Sequence, residues 1–217
     1  MARLSPSGFS ISGAARRLRE EARIMTTAQT FLRLQPAFDA LALLMLQPET
    51  ESAPEGLRLA AQCVLEAGGD RLSDGTKRAL EAASRREAQP LALSQAYAKL
   101  FLGVGPTTVP LTESAWTSAQ RLLCQAAQIE CRKAYEDAGL ELSGGSVVPE
   151  DHVGLMLGFL SVMALREEPE AGLAFFSKHL EPLIAALAEA VRARAGEADA
   201  YADVVATLEA LRELLAA

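Results

Sequence analysis

Apolar positions along this chain recur at the spacing of helices and not at that of strands. No stretch shows two-residue alternation bounded by turn residues, and aromatics make up only 5% of the 217 residues, so strand formers are scarce. By contrast TTAQTFLRLQPAFDALALLML (26–46) is apolar at intervals of three and four, with Pro36 set to kink or divide it. Pro54 and Glu55 open another helix, with Leu57, Ala60, Ala61, Val64 and Leu65 on one face and Gly68-Gly69 after its end. Ser73 is placed to cap a charged helix to about Arg86, and Leu91 to Leu102 forms the next. The pattern then predicts a long helix from about Thr112 to Ala138, stopped by Gly139. A helix after Pro149, one from Pro169 to about Ala195 and a last from Ala198 to Leu215 complete the chain. The expected fold is all-α, a compact bundle of about eight or nine helices. No fixed-period repeat points to a solenoid. The glycine- and serine-rich stretch 139–149 is the expected hinge between lobes 25–138 and 150–217, with residues 1–24 as an N-terminal extension.

One segment carries a question. In VVPEDHVGLMLGFL (147–160), two carboxylates and a histidine stand directly before a nearly unbroken apolar run. The run from Val153 to Leu165 is shorter than the about 20 residues a bilayer span needs, so it reads as a core helix. Being apolar all round, it belongs at the centre of its surroundings. Gly154, Gly158 and Ser161 mark a thin face where another helix can pack closely. Pro149 suits a first helical position, with Glu150 and Asp151 in the first turn against the positive end of the helix dipole. Two readings remain open here: an acidic cap beside a satisfied core histidine, or a functional polar site at the start of a central helix.

Composition narrows the function. Half the residues are apolar and the net charge is −7, a globular profile that argues against nucleic-acid binding. Cys63, Cys124 and Cys131 form no CxxC pair, and their odd number fits a reducing compartment. Cys124 and Cys131 share a predicted helix face and read as small core residues, not metal ligands. Arg16-Arg17 precedes the charged RLREEARIM and no apolar h-region, so a cleaved signal is not expected. The two histidines, His152 and His179, lie in no HxxxH or HExxH spacing, and no GxSxG or P-loop occurs. GVGPTT (103–108) follows a helix and lacks the third glycine and the lysine of a phosphate loop. No cofactor and no metal are expected.

Four separated segments nevertheless form a pattern. YAKLFLGVG (97–105), PLTESAW (110–116), PEDHVGLMLGFL (149–160) and HLEPL (179–183) stand in the order found in the TorD/DmsD/NarJ family, which the chain resembles over about residues 28–217. ALLMLQP (42–48) is similar to that family's early helix ending in proline. Val148 stands where relatives commonly carry an acidic residue, and Leu183 where they often carry tryptophan.

The resemblance implies a cytoplasmic, non-enzymatic chaperone for molybdoenzymes. Such a protein holds the twin-arginine leader, or the apo form, of the catalytic subunit until the molybdopterin cofactor is inserted. A leader offers paired guanidinium groups followed by an apolar stretch, which carboxylates beside an apolar groove can match. Asp151 and His152 are then the first candidates for peptide contact, with Glu150 as a helper. Tyr97, Leu100, Phe101 and Trp116 would line the apolar part, the plain alternative being core packing. Neither nucleic acid nor membrane insertion is expected, and the state would be a monomer or a dimer with exchanged lobes. The competing readings are a small helical enzyme using Asp151 and His152, and a scaffold or dimerisation module without leader recognition.

Overall fold

The computed structural model describes residues 26–46, 51–102, 108–117, 126–142, 148–194 and 200–216. The extension 1–24, Cys124 and most of GVGPTT lie outside the described residues. Helix α1 (26–33) ends in a turn at Leu34, and α2 (Gln35–Leu46) follows at once. The break falls just before Pro36, because proline lacks the N–H a helix interior needs and fits only a first turn. Next come α3 (Ala53–Gly68), α4 (Asp74–Arg85) and α5 (Pro90–Phe101). Ser73 caps α4 as expected, its Oγ accepting the Thr76 N–H at 3.2 Å. Gly69 and Gly139 terminate their helices with φ of 51° and 66°, backbone that glycine adopts without strain.

The predicted start of the long helix at Thr112 is corrected by the structure. Residues 108–113 are not helical and α6 (Ser114–Thr117) begins two residues later; α7 is described over Ala126–Asp137, and the predicted helical stretch 118–125 lies outside the described residues. Helix α8 (Val153–Leu165) carries the apolar run. Helix α9 (Pro169–Phe175) continues through a π-helical turn, Phe176–Leu180, into α10 (Glu181–Arg192), and α11 (Ala200–Leu215) closes the chain. Among the described residues there is no β-strand, only an isolated bridge between Thr112 and His152. No helix among them is long and apolar enough to cross a membrane.

Packing explains this order. Helix α8 lies chiefly against α2, α2 against α3, and α11 against α10, α4, α3 and α5. Helices on both sides of 139–149 therefore feed one cluster, in which Phe38, Leu41 and Met45 join Met156, Leu160 and Leu208. Of the three small residues on α8, two pack against α2. A Cβ on Gly154 would lie 2.6 Å from Leu46 Cγ. Ser161 Oγ donates to Asp39 Oδ1 at 2.7 Å and accepts from Gln35 Nε2 at 2.9 Å. The third departs from expectation: a Cβ on Gly158 would meet nothing within 4 Å.

Candidate functional site

The four segments singled out in the sequence converge. Residues 111–113 run antiparallel to 151–153: the Val153 N–H donates to Leu111 O at 2.8 Å, and the Glu113 N–H to Asp151 O at 3.0 Å. This pairing holds Pro149 to Asp151 out of the helix, so they do not form its first turn as the sequence suggested. The helix starts at Val153, and His152 is its cap, with Nδ1 accepting the Gly154 N–H at 3.2 Å.

Asp151 is wholly buried and serves the neighbouring segment, its Oδ2 accepting the Ser114 N–H at 2.7 Å. Its other oxygen, Oδ1, is buried without a hydrogen-bond partner. His152 is also buried. Burial holds its imidazole well below the usual range, at about 4, against an opposing pull from the Asp151 charge. Glu150 lies nearer the surface, where its carboxylate accepts from Arg132 Nε at 2.6 Å and from Gln128. The Arg132 hydrogen bond lowers its pKa. The Glu150 carbonyl accepts from Tyr135 Oη at 2.7 Å, which ties α7 to the junction.

The apolar candidates divide. Tyr97, Leu100 and Phe101 are core residues. Tyr97 Oη donates to Met45 O at 3.2 Å, and its ring packs at 5.1 Å from Phe101 and 5.5 Å from Tyr201. The Leu100 carbonyl accepts the Val109 N–H at 2.9 Å, leading the chain from α5 into the junction. Trp116 is partly buried there, its Nε1 donating to Pro110 O at 3.0 Å.

Two groups that sequence reasoning passed over complete the region. The Glu113 carboxylate reaches His179 Nδ1 at 2.9 Å, linking the PLTESAW and HLEPL segments inside the protein. Cys131 stands with them; one ligand atom from each of Glu113, Cys131 and His179 can be chosen so that all lie within 4.8 Å of one another. Burial, then the Glu113, Asp151 and Glu130 charges, push the Cys131 thiol pKa far up. Outside this cluster a groove of about 470 Å³ is floored by Phe159, Met163 and Phe175 and edged by Glu130, Asp137 and Glu168. Lys133 and Lys178 sit among those carboxylates, paired with Asp137 and Glu130 at 2.8 and 3.0 Å. A smaller apolar groove of about 240 Å³, over Leu155, Gly158 and Val162, meets the first at Phe159. The signal for Glu113 and His179 lay in the quoted segments, but their pairing spans 66 residues and no local spacing displays it.

The sequence model of one protein family, described as nitrate reductase delta subunit, matches residues 69–192, more than half of the chain. A search of curated proteins finds no match.

Proposed function

The chain belongs to the nitrate reductase delta subunit family, whose members are chaperones for molybdoenzyme maturation. From that premise we propose that this chain holds the twin-arginine leader of a molybdoenzyme catalytic subunit along α8 while the apo-protein receives its cofactor. The observation that carries the reading is the pair of grooves meeting at Phe159, one nearly all apolar and the other apolar-floored with Glu130, Asp137 and Glu168 at its edge. The leader's apolar stretch would lie over Gly158 and its guanidinium groups among those carboxylates, exchanging places with Lys133 and Lys178. Asp151 and His152 serve by position in this reading: they fix the start of α8 and so the floor of the grooves. Holding a leader before export places this work in the cytoplasm.

The test is fluorescence anisotropy with a labelled client leader. The edge carboxylates are exposed, so each pairing with arginine is worth about 0.2–1 kcal/mol. The triple variant Glu130→Gln, Asp137→Asn, Glu168→Gln should therefore bind about tenfold more weakly, with its circular dichroism unchanged. A leader with both arginines replaced by glutamine should bind wild type more weakly and lose little further with the variant. Simply additive losses would mean that these carboxylates do not meet the arginines.

A further inference from the structure

We propose that Glu113, Cys131 and His179 form a binding site for a divalent transition-metal ion of the zinc class. The three come from different parts of the chain: the loop before α6, helix α7, and the π-helical turn. Carboxylate, thiolate and imidazole together are a donor set that suits zinc and not magnesium or calcium. Two ligand atoms on a tetrahedral ion with bonds of about 2.0 Å stand about 3.3 Å apart. Glu113 Oε2 and His179 Nδ1 are already 2.9 Å apart, so a small opening would admit an ion between them. The carboxylate and a thiolate would offset the two positive charges, leaving the buried centre neutral.

Three further observations favour a ligand over plain core packing. Asp151 Oδ1, Ser114 Oγ and Thr112 Oγ1 are buried without hydrogen-bond partners, on residues next to Glu113 in the chain or paired with its backbone. Buried polar atoms are nearly always paired, so the segment that carries Glu113 has unmet polar capacity. Cys131 is wholly buried beside Glu113 and His179, so its thiol is held inside the cluster and not at the surface. Finally, His179 lies in the π-helical turn, a rare conformation that recurs at functional sites. Of the three, His179 also lines the larger groove, with its Nε2 4.0 Å from Glu130 Oε2.

The experiment uses the full chain, treated with chelator and then titrated with cobalt(II) and zinc(II). One equivalent of cobalt should give a thiolate-to-metal charge-transfer band and the intense visible bands of a tetrahedral ion, and zinc should displace it. Cys131→Ser should abolish the charge-transfer band, whereas Cys63→Ser and Cys124→Ser should keep it. His179→Gln and Glu113→Gln should weaken zinc binding by more than the about 10- to 100-fold that losing a supporting partner costs. Because these positions are buried, the wild type provides a second measurement that depends on no variant. Its thermal midpoint should rise saturably with zinc, and its zinc affinity should fall about tenfold per pH unit on acidification, as the thiol proton competes. A charge-transfer band that survives Cys131→Ser, or a wild-type midpoint that zinc leaves unmoved, overturns the proposal.

Discussion

Gly154 and Gly158 are one helical turn apart on α8, yet one is packed tight and the other is open. Side chains advance by about 100° per residue. Relative to Gly154, Ser161 is therefore turned by about 20° one way and Gly158 by about 40° the other. The α2 helix covers the first side: Leu46 and Ala42 close over Gly154, and Asp39 and Gln35 hold Ser161. Gly158 turns toward Leu155 and Val162 and looks into the apolar groove. A stripe of small residues thus has an edge, and a neighbouring helix covers only part of its width. The two sides of one helix do different work. The side toward α2 builds the core, and the other borders an open apolar groove.

Four measurements press on this division. The largest effect is expected at its border, where the Phe159 ring lies 4.6 Å from Phe175 and 5.1 Å from Tyr135. Phe159→Ala should cost about 3–5 kcal/mol in urea unfolding. A near-neutral result would erase the border by showing the groove floor to be a free surface. Acid probes the packed end next. His152 is held below its ordinary 6.5, at about 4, so its contribution is complete above pH 6.5 and is lost as pH falls through the window from 6.5 to 4. The loss should be about 3 kcal/mol. His152→Asn, which keeps a capping side chain, should flatten that limb of the stability curve. Third, Gly154→Ala should destabilise by about 1–3 kcal/mol, since its Cβ would also lie 3.2 Å from the Ala42 carbonyl oxygen. The smallest effect has the opposite sign. Gly158→Ala should stabilise by about 0.5–1 kcal/mol through helix propensity alone, and a loss there would mean that α2 reaches further than the contacts show.

Local signals made most of the helices legible. Proline at the starts of α3, α5 and α9, Ser73 at α4 and Gly139 after α7 each act within a few residues, so spacing reveals them. Leu100 and Phe101, offered as groove-lining candidates with core packing as the alternative, are buried. The start of α8 was not legible in this way. Pro149 and two acidic residues make a good local first turn, but the backbone of Asp151 and Val153 is engaged by Leu111 and Glu113, about forty residues upstream. The start of α6 was misjudged for the same reason, because the pairing with 151–153 engages residues 111–113 and the helix begins only at Ser114. The candidate site depends wholly on such long-range meetings. Asp151 read as a first-turn carboxylate because nothing nearby in sequence announced that the Ser114 N–H would donate to it. The edge carboxylates Glu130, Asp137 and Glu168 are ordinary helix-surface residues until α7 and α9 stand side by side.

The turn at Phe176–Leu180 has a consequence for how this chain can change over generations. Its hydrogen bonds reach one residue further than those of an α-helix, so it stores a single additional residue within an otherwise continuous rod. Removing one residue there would restore the ordinary ladder and leave α9 and α10 aimed as they are, with Leu183, Ile184 and Leu187 still buried. The side chains of the turn itself, Phe176, His179 and Leu180, are the ones that would be redirected. Insertion and deletion at this point are therefore separable from the scaffold, and a lineage could gain or shed the His179–Glu113 link in one step without rebuilding the bundle.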